Sequence, residues 1–193
     1  MIYFIDGELI AEHGEAKVYL YDGFLHLEIG PGHNLWMVES EIEELSQQIG
    51  DLPRGNCLEI GLGLGVASKY ILSFPEVTKL TTVEINPDVI AVHQMVNYID
   101  DARHKGINGN GLDFILQTEE KYDFIFFDHY SIIDEDTLEI LEVYVNAAKK
   151  ILNKGGTILA WFDPYTPKED ASKFFDILNV DLDTYNRLQS YYN

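Results

Sequence analysis

The stretch "CLEIGLGLGVASKYI", Cys57 to Ile71, places Gly61, Gly63 and Gly65 at alternate positions after an apolar run that reads as a buried strand. Glycine lets the backbone approach a ligand closely, and a helix opening near Val66 offers free N–H groups. Alone, the pattern fits a tight strand-to-helix turn equally well. It is not a dinucleotide fingerprint, because the third glycine of G-x-G-x-x-G would have to stand where Val66 is. Three later positions add chemistry. Glu84 closes "TTVE" 23 residues after Gly61, a distance at which an acid accepts hydrogen bonds from ribose hydroxyls. Asn110, in "NGNGLDF", has the donors and the acceptor for an adenine edge, although the same residues also make an ordinary turn. Asp128 ends "YDFIFFD", where a carboxylate can hold a cationic nucleophile or accept its proton. His129 and Tyr130 beside it are candidate partners.

Positioning these residues requires a strand before each loop. From residue 54 the chain alternates: strand near 56–61, helix near 65–73, strand near 79–85, helix near 87–97, a weak strand near 104–108 and a short helix near 111–117. A strand near 122–128, a helix near 135–152, a strand near 156–162 and a helix in "PKEDASKFFDIL" follow, then "NVDLDTYNRLQSYY" as a last strand or irregular tail. This rhythm predicts an α/β, Rossmann-like, doubly wound and mostly parallel sheet, whose ligands bind beyond the carboxyl ends of the strands. Ahead of it, residues 2–10 and 16–29, punctuated by Asp6-Gly7 and Asp22-Gly23, read as short antiparallel strands. Leu35, Val38, Ile42, Leu45 and Ile49 at helical spacing predict a helix through "LWMVESEIEELSQQIG", capped near Asn34. The expected division is an N-terminal β-hairpin and helix extension over 1–50 and the Rossmann-like unit over 51–193, with a shortened C-terminus.

Composition narrows the function classes. The 33 acidic residues against 13 Lys plus Arg leave a formal charge of −20, a field that repels nucleic acid and raises the local concentration of cationic small molecules. Cys57 is the only cysteine, so neither a disulfide framework nor a cysteine metal site is expected. The opening "MIYFIDGELI" is interrupted by Asp6 and Glu8, and no long apolar run follows. A soluble cytoplasmic protein without a membrane span is therefore expected.

In order and type, "CLEIGLGLGVAS", "TTVEINPDVI", "GNGLDFI", "YDFIFFD" and "AAKKILNKGGTILAWF" resemble the class I S-adenosylmethionine-dependent methyltransferase superfamily over most of residues 54–163. The resemblance implies S-adenosylmethionine, or its decarboxylated analogue, held by Glu59, Gly61, Gly63, Gly65, Glu84, Ile85, Asn110, Gly111 and Asp128. It implies Asp128, His129 and Tyr130 at the catalytic end. Two branches are similar. Spermidine synthase-like aminopropyltransferases share the β-rich N-terminus, with their "LDG" turn echoed in "LYDGFLH" and their "GDGFEF" in "GNGLDF". Where that branch has an acid in the glycine motif, a glutamine after the turn, an adenine-loop acid and the second acid of D-x-x-D, this chain has Leu64, His26, Asn110 and Ser131. The guanidinoacetate N-methyltransferase-like branch needs no acid at Leu64 and matches Asp128 to its substrate carboxylate. The departures favour a methyltransferase acting on a small cationic amine or guanidine. The alternatives are an aminopropyltransferase-like enzyme of altered specificity and a non-catalytic cofactor-binding protein. No metal is expected: in "WFDPY", Pro164 stands where metal-dependent O-methyltransferases have an asparagine, and Asp128 with Asp163 offers too few donors. The N-terminal extension suggests a lid or the surface of a symmetric homodimer.

Overall fold

The computed structural model describes residues 7–31, 34–130, 132–163 and 166–180. Four short strands, β1 (Glu8–His13), β2 (Ala16–Tyr21), β3 (Phe24–Ile29) and β4 (Asn34–Val38), form an antiparallel sheet in that order. Tyr21 pairs with Phe24, so Asp22 and Gly23 make a two-residue loop. Their φ values of 50° and 83° belong to the turn whose twist matches the flanking strands. A 3₁₀ turn (Glu39–Glu41) then leads into α1 (Ile42–Ile49).

The remaining elements alternate: β5 (Gly55–Ile60), α2 (Val66–Leu72), β6 (Val77–Glu84), α3 (Pro87–Val96), β7 (His104–Asn108), α4 (Gly111–Gln117), β8 (Tyr122–Phe127), α5 (Glu135–Ala148), β9 (Leu152–Ala160) and α6 (Lys168–Leu178). The second sheet is parallel, in the order β7-β6-β5-β8-β9. The chain builds outward from β5 to β7, then reverses and fills the other side with β8 and β9, which puts the topological switch between β5 and β8. Side chains along β8 alternate between two buried layers: Ile125 and Phe127 join the core under α5 and α6, Phe124 and Phe126 the core under α1 to α3. Burial on both faces explains why "YDFIFF" is a nearly continuous apolar run. The antiparallel sheet packs on the second of these cores through Val18, Leu27 and Met37.

The expected Rossmann-like sheet is present. One stretch differs in type from the expectation: residues 34–38 are β4, and the helix predicted from residue 35 begins at Ile42. Leu35 and Val38 have helical spacing, but Met37 is the residue of β4 that is buried, opposite Leu27, while Leu35 and Trp36 are 51% and 60% exposed. Pairing with β3 outweighs local periodicity there, and Asn34 opens a strand rather than capping a helix. Strand β9 starts at Leu152 and stops at Ala160, which leaves Trp161 and Phe162 beyond its end. Helix α5 ends at Ala148 rather than near 152. Of the first predicted strand, residues 2–6 lie outside the described residues, as do Ser131, Pro164, Tyr165 and the tail after Val180. No helix among the described residues is long and apolar enough to cross a membrane.

Candidate functional site

The carboxyl ends of the parallel strands are tied to one another in a row. Gly61 N donates to Val83 O (2.9 Å), Asp128 N to Ile60 O (2.7 Å), Trp161 N to Phe127 O (2.7 Å) and Gly109 N to Glu84 O (3.0 Å). Above this row, with β3, β4 and α1 as the far wall, lies a cavity of about 650 Å³, within the range of ligand sites.

Glycine at 61 is dictated by the strand row itself. Its φ is +98° and a Cβ would lie 1.9 Å from the carbonyl oxygen of Asp128. Gly63, at φ +52°, leaves room for Met37, whose Sδ a Cβ would approach to 2.8 Å. The glycine loop is therefore shaped by its protein neighbours as well as by any ligand. Both glycines line the cavity. Gly65 does not; it stands at the N-cap of α2, facing His93 and Ile99.

Glu84 is fixed from both sides: Oε2 accepts from Leu62 N (2.9 Å) and Oε1 from Asn86 N (2.8 Å). Each oxygen keeps a lone pair for a further donor on the cavity side, which suits a diol. Ile85 and Asn86 continue that wall. Asn110 and Gly111 close it at the start of α4. The Asn110 Oδ1 accepts from Asp113 N (3.1 Å), so its amide NH₂ is the part left to meet a ligand.

Glu59 is corrected. It is fully buried below the loop, where its Oε2 accepts from Ser68 Oγ and from Thr82 Oγ1 (2.7 Å), and it does not reach the cavity. Burial pushes its carboxyl up to about 8, against those hydrogen bonds, so it is protonated at neutral pH. Its work is to tie β5 to α2 and β6.

Asp128, His129 and Tyr130 all line the cavity. Burial pushes the Asp128 carboxyl up to about 7, with the charges of Glu41 and Glu84 adding to the effect. The His129 imidazole is packed on Tyr144 at 4.5 Å between ring centres, and burial lowers it to about 4, so it is neutral. Tyr130 donates its hydroxyl to Trp161 O (2.8 Å), and burial raises its phenol well above the ordinary range. It is held as a wall and is a poor proton donor.

Glu41, Glu44 and Asp163 complete the set, with Trp36 and Trp161 beside them. Of these, Glu41 and Glu44 are not singled out by the sequence, where residues 35–50 read as one helix with an apolar face. Their three-residue spacing, with Gln48 four residues further on, is the signal that marks one helical face. Glu41 Oε1 accepts from Val38 N (3.0 Å), and burial pushes its carboxyl up to about 7, with Glu44 adding to the effect. Glu44 is also raised, by burial and by Asp163. Gln48 joins α1 to the end of β9, donating to Phe162 O (2.8 Å) and accepting from Phe162 N (2.9 Å). No Lys or Arg among the described residues lines the cavity.

A parallel sheet with an acid at a strand end, a glycine turn and a cavity at its switch point defines a Rossmann-like unit. Residues 50–175 match the family model described as "Spermine/spermidine synthase domain", and the chain belongs to that family. The polyamine aminopropyltransferase of Saccharolobus islandicus (strain Y.N.15.51 / Yellowstone #2) is 31% identical over 115 residues, covering 55% of this chain and 38% of the relative. The chain thus spans well under half the length of that relative. In structure it is similar to spermidine synthase from Thermotoga maritima, with TM-score 0.67 at 17% identity, covering 89% of this chain and 63% of that one. It is also similar to SMU.776, a proposed methyltransferase solved with SAH, with TM-score 0.60 at 16% identity, covering 86% and 47%. At these identities the likeness shows the fold.

Proposed function

We propose that this chain is an aminopropyltransferase, moving the aminopropyl group of decarboxylated S-adenosylmethionine to a small amine. The methyl-transfer expectation gives way to it for one reason: the cavity is lined by Glu41, Glu44, Glu84, Asp128 and Asp163, with no Lys or Arg among the described residues. The carboxylate of intact S-adenosylmethionine would enter that wall without a countercharge, a costly burial. The decarboxylated form lacks that group and presents two cations. The family and the curated relative support the same choice.

Bound here, the donor supplies a carbon activated by a positively charged sulfur: the amine nitrogen forms the new C–N bond as the C–S electron pair returns to sulfur, leaving 5′-methylthioadenosine. Glu84 holds the ribose hydroxyls and Asn110 the adenine edge. Gly61 and Gly63 keep the loop low enough for close approach. Asp128 orients the attacking amine and takes its proton, a task that suits a carboxyl poised at about 7. The aromatic walls exclude water and fix the line of attack.

Incubating the protein with a mixture of amines and either donor, then weighing the products, tests this reading. An amine gaining one aminopropyl unit, formed only with the decarboxylated donor, is expected. A methylated product from S-adenosylmethionine would overturn it, and binding without turnover of either donor would leave a non-catalytic protein.

A further inference from the structure

Outside the cavity, the tip of the first hairpin of the antiparallel sheet is held by one carboxylate. Strands β1 and β2 lie against α3, and the turn between them meets the first turn of that helix at Asp88. His13 Nδ1 donates to Asp88 Oδ1 (2.9 Å), and Glu15 N donates to Asp88 Oδ2 (3.0 Å). Gly14, between these two residues, has φ +53°, and a Cβ there would lie 2.1 Å from Asp88 Oδ2. A side chain at position 14 would therefore push the turn off the helix. The Glu15 N–H, with the His13 ring adding to it, holds the Asp88 carboxyl below the usual carboxylate range.

The same residue is joined to the cavity from its other side. Asp88 N donates to Asn86 Oδ1 (2.9 Å), and Asn86 N donates to Glu84 Oε1 (2.8 Å). Pro87 between them has its φ fixed by its ring, so the path from Glu84 to Asp88 has little slack. Asp88 itself does not line the cavity. A second tie links the sheet to the glycine loop, where Leu64 N donates to Met37 Sδ (3.3 Å). Strands β1 to β4 are paired edge to edge, and Leu27, Ile29, Trp36 and Met37 of β3 and β4 line the cavity. A shift at the tip of the first hairpin is thus passed to the far wall.

We infer that Asp88 is a positioning residue for the nucleoside: it docks the β1–β2 turn on α3, so that the sheet wall and the Glu84 loop close on the ligand as one unit. Docking that favours the ligand must be favoured by it to the same degree. This rests on the placement of the aminopropyl donor at Glu84 in the proposed function.

Calorimetry with 5′-methylthioadenosine, together with hydrogen exchange at the Glu15 amide, tests it. In the wild type the ligand should slow exchange of that amide, a response that a contact serving stability alone would not give. Asp88→Ala and Gly14→Ala break the same contact from opposite sides. Each should weaken 5′-methylthioadenosine about fivefold, the low end of measured couplings, because both hydrogen bonds are exposed to solvent. Combined, they should weaken it no more than either does alone. Asp88→Asn keeps an acceptor for the Glu15 N–H and should retain most of the affinity. Gly23→Ala is the control for backbone strain: Gly23 has φ +83° in the next turn of the same sheet, and a Cβ there meets nothing within 4 Å. It should lower the melting temperature without moving the affinity. Equal loss of affinity in Gly14→Ala and Gly23→Ala, or a Glu15 amide indifferent to the ligand, would overturn the inference. If the wild type does not bind 5′-methylthioadenosine, the placement of the donor falls and the inference with it. If the wild type binds it and transfers an aminopropyl group while Asp88→Ala and Gly14→Ala bind it as tightly, the inference alone falls.

Discussion

Asp128 is the residue on which the proposed chemistry turns, and its environment makes its behaviour with pH specific. Burial and the neighbouring carboxylates Glu41 and Glu84 raise it to about 7, so below that pH it is increasingly neutral and can neither hold an ammonium nor accept its proton. Turnover should rise with pH through about 7 and level off above. Asp128→Asn should lower kcat by about 100-fold or more and remove that limb of the profile, with 5′-methylthioadenosine affinity retained. Loss of that affinity would instead make the residue structural. Glu59 offers a contrast at the same scale. Because burial already keeps it protonated, Glu59→Gln should be almost neutral for stability at pH 7, whereas Glu59→Leu, which removes the acceptor shared by Ser68 and Thr82 and leaves their hydroxyls only each other and His104, should cost about 1–3 kcal/mol in a denaturant melt. If both variants melt alike, the network does not hold β5 to α2.

Elements explain which parts of the site could be read in advance. Glu84 and Asp128 stand at the ends of strands with a plain apolar pattern, and Asn110 follows the weaker strand HKGIN; in a parallel sheet every such end meets the same crevice, so spacing brings them together. Glu59 lies away from the cavity because the same alternation that points Ile60 toward one layer turns its neighbour into the other, and composition cannot tell a cavity-facing acid from a buried one. The far wall was hidden for a different reason. Residues 35–38 are an unbroken apolar run that local pattern cannot assign to helix or strand, and only pairing with the partner strand β3 decides between them. With residues 34–38 read as helix, nothing in the sequence placed Glu41 and Glu44 at the site. Gln48 is the device that then fixes their geometry, since its amide pairs with both backbone groups of Phe162. Gln48→Leu should remove both hydrogen bonds to the Phe162 backbone, a loss of about 2–4 kcal/mol. It should also raise KM for the amine more than for the decarboxylated donor, because α1 and Asp163 would lose their common anchor. Equal effects on both substrates would mean that Gln48 serves stability alone.

At the scale of the whole molecule, the same carboxylates that would bind a cation must destabilise the empty fold, and the pH window follows from their signs. In the unfolded chain carboxylates ionise near 4, but in the fold Glu41 and Asp128 stay protonated to about 7 and Glu59 to about 8. The folded state therefore binds more protons over that interval, and stability falls as pH rises through it. His93 and His129, lowered by burial to about 4, work in the opposite sense. The unfolded chain protonates them near 6.5 while the fold does not, so their contribution is lost as pH falls below that value. The two trends oppose each other between about 5 and 6, and only the carboxyls act above about 6.5. The ligand-free protein should thus melt at a nearly constant temperature in the lower window and at progressively lower temperature from pH 6.5 to 8.5. A cation lying along Asp128 and Glu41 favours their ionised forms, so its binding must release protons and its affinity must rise with pH between about 6 and 7.5. Spermidine should accordingly raise the melting temperature more at pH 8 than at pH 6, and calorimetry in buffers of different ionisation enthalpy should detect the protons released. The formal charge of −20 attracts any polycation weakly, and the double variant Glu41→Gln, Asp128→Asn separates the two effects. It should keep the nonspecific, salt-sensitive part and lose the proton release. A wild-type melting temperature that climbs from pH 6.5 to 8.5 would show that these carboxyls ionise in the fold as they do in water, and the cavity would then have no stored repulsion for a polyamine to relieve.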